Sequence, residues 1–231
     1  IHQNIATMQT MGLKLTAEDI YSINNSSLKD AIVQFDDGGC TGELVSAHGL
    51  FLTNHHCGVD AVQSQSSTEN NLLEKGYWAK SYSEELPIKG KTALILVGIE
   101  DVTNRVLSSV SNSLPNKEYF EQLKTTMRNI EEETANKTGN HVLVKPFFNN
   151  NAFYMFIYER YLDVRLVGVP PSSIGNFGGD VDNWHWPRHT GDFCMFRIYT
   201  APDGKPAEHS PKNIPYKSKN YLKVDLKGIN E

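Results

Sequence analysis

Two histidines stand together in Thr53-Asn54-His55-His56-Cys57, directly after the apolar run Leu50-Phe51-Leu52, and one of them is placed for proton transfer. An imidazole acts as a general base only when its tautomer and orientation are fixed, and a strand end can fix both. His56, beside Cys57, is the better candidate, and His55 is expected to pack or hydrogen-bond locally. Such a base needs a buried acid to hold its Nδ1 proton. The Gly-, Trp- and His-dense segment 175–193 offers Asp180, Asp182 and Asp192. Asp192 immediately precedes the apolar run 193–199 and fits the role best; Asp180 and Asp182 suit turn formation. The third member, a nucleophile, is missing. No serine stands in a Gly-Asp-Ser-Gly or Gly-Asn-Ser-Gly setting, where successive backbone amides could form an oxyanion hole.

The same residue types admit a second chemistry. His55, His56, Cys57, His185 and His189 are all zinc-ligand types, and His185 and His189 have i, i+4 spacing. Pro187 between them opposes a helix, and no His-Glu-x-x-His motif occurs. A zinc hydrolase is therefore the weaker alternative, and neither metal nor organic cofactor is expected. Nor does the Asp180-Val-Asp182 spacing continue into an EF-hand loop.

The elements that must position these residues are mostly strands. A strand, a turn at His48-Gly49 and a second strand account for residues 40–53. Strands are also expected at 92–99, 142–145, 152–158, 163–169, 193–199 and 221–226. Short helices are signalled by Thr16-Ala-Glu-Asp19 and Ser27-Leu-Lys-Asp30, which resemble capping boxes. A further short helix suits 58–65. One long helix should start at Pro115-Asn116 and stop at Gly139, with Phe120, Leu123, Met127 and Ile130 as its apolar stripe. The reading is a mainly β domain with a helical excursion near 102–138.

Composition excludes several classes. The 231 residues are 39% hydrophobic and 21% charged with a net charge of −5, ordinary for a globular chain with a sizeable core. No basic stripe invites nucleic acid, and no apolar run is long enough to span a membrane. The acidic run 131–133 reads as a solvated helix face. Three cysteines fit one disulfide and one spare thiol.

The hairpin followed by His-Cys resembles the first barrel of chymotrypsin-like peptidases. There the base ends an apolar strand, and the neighbouring Cys is tied back to one at the hairpin's start. That resemblance implies a Cys40–Cys57 disulfide, with Cys194 left as a buried thiol. Three longer blocks narrow it: Cys40-Thr-Gly-Glu…Thr53-Asn-His-His-Cys-Gly58, Asp163-Val-Arg-Leu-Val-Gly…Pro170-Pro171, and Gly175-Asn-Phe-Gly-Gly-Asp…Asn183-Trp-His-Trp-Pro-Arg-His-Thr-Gly-Asp-Phe193. Together they resemble the bacterial dipeptidyl-peptidase 7 and dipeptidyl-peptidase 11 family of serine exopeptidases, over the N-terminal portion of that family.

The resemblance implies a chymotrypsin-like double β-barrel with a helical domain inserted between the barrels. It implies release of dipeptides from the free N-terminus of peptides, in the periplasm or at the surface of a Gram-negative bacterium. It places the base on His56 and the orienting acid on Asp192, and it gives Asn183 and Trp184 the substrate's α-amino group. One departure is His185, where the family leads one to expect an apolar residue such as Met. Ser172 and Ser173 precede Asp192, against the order His, Asp, Ser. Residues 1–231 are therefore expected to be the N-terminal part of the peptidase domain, with the nucleophile beyond Glu231 and no activity of their own. A homodimer is compatible with the full-length protein. The rival from another class is a peptide-binding relative without catalysis, which the downstream reading frame would reveal.

Overall fold

The computed structural model describes residues 3–228 except 112, 183, 184 and 188, with the backbone alone at position 180. In chain order the first part holds α1 (Ile5–Thr10), α2 (Ala17–Ile20), β1 (Ile32–Phe35), β2 (Cys40–Leu44), β3 (Leu50–Thr53), α3 (His55–Ser64) and α4 (Leu72–Lys75). It continues through β4 (Tyr77–Trp78), β5 (Leu86–Pro87), β6 (Ala93–Asp101), α5 (Thr103–Leu107), α6 (Asn116–Thr138), β7 (His141–Phe147) and β8 (Ala152–Tyr161). The last part holds β9 (Asp163–Val169), α7 (Ser172–Gly175), α8 (Gly179–Asp182), β10 (Cys194–Thr200) and β11 (Ile214–Pro215). The chain divides into two compact units, Ile1–Leu94 with Tyr161–Glu231, and Ile95–Arg160.

The first unit is an antiparallel sheet in the order β4-β9-β10-β3-β2-β1, with β5 also pairing β9 and β11 pairing β10. Among the described residues this path does not close on itself. Every residue of β9 is buried, and β10 is buried at all but one position, as central strands of a covered sheet should be. Phe35, Phe51 and Phe196 form the aromatic centre, with ring centroids 4.8 to 5.7 Å apart and no exposure at any of the three. Each buried Phe contributes about 1.5–3 kcal/mol of hydrophobic stabilisation. Tight turns set the register. Gly49 (φ +69°) turns β2 into β3, and a Cβ there would lie 2.9 Å from the Ile198 carbonyl oxygen. Both capping boxes form as expected: Thr16 with Asp19, and Ser27 with Asp30.

The second unit packs α5 and α6 on β7 and β8. Leu123 and Ile130 of α6 meet Val106, Val142, Val144, Phe153 and Met155 in one apolar cluster. Helix α6 ends as its sequence predicts, with Gly139 in the left-handed region at φ 72°. One member of the predicted stripe is displaced: Phe120 is 47% exposed, and Tyr119 packs on the cluster instead. The acidic run is likewise only partly a solvated face. Glu131 accepts the Val144 N–H at 2.7 Å, while Glu133 pairs with Lys137 and Arg105.

Two further expectations fail. Residues 221–226 form no strand, because among the described residues only the Leu222 N–H reaches a neighbour in a strand, the Leu44 carbonyl. Leu226 there is 94% exposed. The helix predicted at 58–65 begins three residues earlier, at His55, which moves both histidines from a strand end to a helix start. Among the described residues no helix is long and apolar enough to cross a membrane.

Candidate active site

The antiparallel register between β3 and β10 brings the site together. Thr53, the last residue of β3, pairs with Cys194, the first of β10. Residues just after β3 therefore lie beside residues just before β10, and His56 meets Asp192 across 136 positions of sequence. His56 Nδ1 lies 3.0 Å from Asp192 Oδ2, and the backbone N–H of His56 donates to Asp192 Oδ1 at 3.3 Å. An ionised carboxylate only accepts, so His56 presents Nδ1–H to it and leaves Nε2 as its proton acceptor. The exposures suit that division: the His56 side chain is 55% exposed and that of Asp192 only 12%.

Each partner is held from behind. Cys40, at the start of β2, is bonded to Cys57 in the first turn of α3, which ties the backbone beside His56 to the sheet. His55 is buried and packs against Gly175 at the end of α7. A Cβ on Gly175 would lie 2.2 Å from His55 Cδ2, so only glycine allows this seat. Burial pushes the His55 pKa down, and its Nε2 has no protein partner among the described residues. Gly58, the next buried position of α3, lets the helix lie on β10, where a Cβ would come within 2.5 Å of Cys194 Sγ. On the acid's side, the Gly191 N–H donates to the Ile174 carbonyl at 2.9 Å. Thr190 Oγ1 donates to the carbonyls of Ile174 and Gly175.

Cys194 is the spare thiol. It has no exposure, its Sγ donates to the Asn54 carbonyl at 3.2 Å, and burial pushes its pKa up to about 12. Thiolate is the reactive form, so native Cys194 should resist iodoacetamide at pH 8 while a small free thiol is consumed. After unfolding without reductant, mass spectrometry should find one alkylated cysteine and an intact Cys40–Cys57 bond. Rapid labelling of the native protein would contradict this burial.

The sequence-predicted residues divide clearly. His56 with Asp192, and Cys40 with Cys57, are brought together. Asn183 and Trp184 lie outside the described residues. Asp182 is exposed and sits 3.6 Å from His185 Nδ1. Among the described residues His185 and His189 join no ligand group with His55 or His56. Among the described residues the one grouping of three ligand-type side chains is Cys40, His56 and Cys57, whose sulfurs are already bonded to each other and cannot serve as thiolates. Asn54 was missed as a site residue: its side chain reaches Asp192 at 3.2 Å. Its place before the His pair, as a favoured N-cap type, was the available signal.

The sequence matches the Peptidase S46 family over residues 1–231. The chain belongs to that family. It is 52% identical over 228 residues to dipeptidyl-peptidase 7 of Capnocytophaga gingivalis, covering 99% of this chain and 32% of that protein. It is 45% identical over 228 residues to the Asp/Glu-specific dipeptidyl-peptidase of the same organism, with 99% and 32% covered. The crystal structure of Porphyromonas endodontalis DPP11 in complex with dipeptide Arg-Asp matches with TM-score 0.90 and 46% identity, covering 100% of this chain and 34% of that one. The chain thus spans about a third of the length of these relatives.

Proposed function

We propose that this chain supplies the general base and the orienting acid of a serine-type dipeptidyl-peptidase, whose serine lies beyond Glu231. The observation that carries the reading is the 3.0 Å approach of His56 Nδ1 to a largely buried Asp192 carboxylate, with the rest of the ring open. His56 Nε2 takes the serine hydroxyl proton as the oxygen attacks the scissile carbonyl carbon. It then gives that proton to the departing amine, and the cycle repeats with water. Asp192 holds the ring and offsets the charge of the transient imidazolium. The antiparallel sheet of the first unit is read as part of a chymotrypsin-like first barrel, within a double barrel completed by later sequence. Residues 1–231 are the N-terminal part of the peptidase domain and alone turn over no substrate.

The Cys40–Cys57 bond suits the periplasm or cell surface, where disulfides persist. Peptides with a free N-terminus are the substrates, and a homodimer of the full-length protein is compatible with this reading.

Asn183 and Trp184 hold the substrate's terminal ammonium. An amide oxygen accepts its hydrogen bond, and an indole face attracts its charge. This contact sets the cut two residues from the free end. The test is turnover of dipeptidyl-coumarin substrates by the full-length protein, compared with their N-acetylated forms. Free-amine substrates should be cleaved and acetylated ones poorly. A charge-assisted hydrogen bond is worth about 1.5–3 kcal/mol, so Asn183→Ala should lower kcat/KM about tenfold to a hundredfold for the free amine. Acetylated substrate should lose little more. Equal losses on both substrates would make Asn183 a support of its loop instead.

A further inference from the structure

We propose that Asn54 is a positioning residue for the base–acid pair, its side-chain amide holding the Asp192 carboxylate in the orientation that faces His56. This rests on the reading of His56 and Asp192 given above. Asn is favoured at helix N-caps because its side-chain oxygen accepts an N–H of the first turn. Asn54 occupies the N-cap of α3 with extended backbone (φ −68°, ψ 151°), yet its side chain makes no capping bond. It is turned away instead, and Nδ2 donates to Asp192 twice, to Oδ2 at 3.2 Å and to the main-chain oxygen at 3.3 Å.

The cap that Asn54 forgoes comes from Asp192 itself, whose Oδ1 accepts the His56 N–H at 3.3 Å. One carboxylate therefore caps the helix and holds the base, and Asn54 holds that carboxylate. The amide has little freedom in doing so. Asn54's own carbonyl accepts from Cys194 Sγ at 3.2 Å, next to the pairing of Thr53 with Cys194. Two bonds from one NH2 group onto a side-chain oxygen and a main-chain oxygen of one residue fix that residue's first torsion. Asp192 lies just outside β10 and has no ladder of its own to fix it. Asn54 acts through Asp192.

The test is a double-mutant cycle in the full-length protein, with a free-amine dipeptidyl-coumarin substrate. Asn54→Ala should lower kcat about tenfold, the worth of one partly exposed hydrogen bond to a charged group. KM should stay within about twofold, because no substrate contact is removed. The melting temperature should hold, because no capping bond is lost with the side chain. Asn54→Asp keeps the shape but sets like charge against Asp192, so it should fall below Asn54→Ala in kcat. In an Asp192→Ala background, Asn54→Ala should cost nothing further. An unchanged kcat in Asn54→Ala, or an equal loss in both backgrounds, would overturn the positioning role while leaving the His56–Asp192 reading intact. Wild-type activity in Asp192→Ala alone would overturn that reading, and this inference with it.

Discussion

His56→Ala in the full-length protein is expected to lower kcat/KM for a free-amine dipeptidyl substrate by about 10⁴-fold or more. That is roughly 5.5 kcal/mol of transition-state stabilisation. On the proposed reading, the missing imidazole is the group that takes the nucleophile's proton during attack and returns it to the leaving amine. Asp192→Asn should cost about as much for a different reason. A neutral amide no longer demands Nδ1–H, so the wrong tautomer is admitted and the imidazolium loses its counter-charge. The fold should survive His56→Ala, because that side chain is 55% exposed and its bond to Asp192 is local to the site. Circular dichroism and thermal melting check this beside the kinetics. Activity within tenfold of wild type in a folded His56→Ala protein would remove His56 from the base role.

The placement of these residues was legible in part. Residue type and neighbours pointed to His56 and Asp192, and the resemblance of the hairpin to a chymotrypsin-like first barrel pointed to the Cys40–Cys57 pairing. The meeting of His56 with Asp192 depends on the register Thr53–Cys194, which neither strand carries alone. Regular elements with strong local signals read well. Strand β9 was predicted at its observed bounds, and α6 stops at its left-handed glycine. The start of α3 did not, because its first-turn N–H is satisfied by a carboxylate 136 residues away, a tertiary cap invisible to local pattern. Residues 221–226 alternate apolar and polar side chains as a strand would. A strand also needs a partner edge, and that requirement is not local. Phe120 and Tyr119 show the limit of helical periodicity: both suit an apolar stripe, and only packing against the β7–β8 face selects Tyr119.

The largest stability effect should come from Glu85, which no motif or periodicity in the sequence singles out. Its side chain is only 3% exposed. Glu85 Oε1 accepts Arg197 Nε at 2.8 Å, and Oε2 accepts the Tyr199 hydroxyl at 2.7 Å. Arg197 is itself 10% exposed and donates its remaining reach to the His48 carbonyl at 2.7 Å. The pair thus joins β10 to the β2–β3 turn. Burial of two charges is tolerated here because both carboxylate oxygens accept hydrogen bonds and the guanidinium donates to Glu85 and to the His48 carbonyl. Glu85→Ala removes one partner and leaves a buried guanidinium without its counter-charge and a buried phenol without its acceptor. It should therefore destabilise the fold by about 3–5 kcal/mol. Glu85→Gln keeps one acceptor and should cost less than half of that. Glu85→Leu combined with Arg197→Met removes both charges and should recover most of the loss, since a buried pair exchanged for apolar packing is often neutral. Urea denaturation of the four proteins reads these differences directly. If Glu85→Ala cost under about 1 kcal/mol, the pair would be behaving like an exposed surface ion pair, and its burial between β10 and the β2–β3 turn would be wrong.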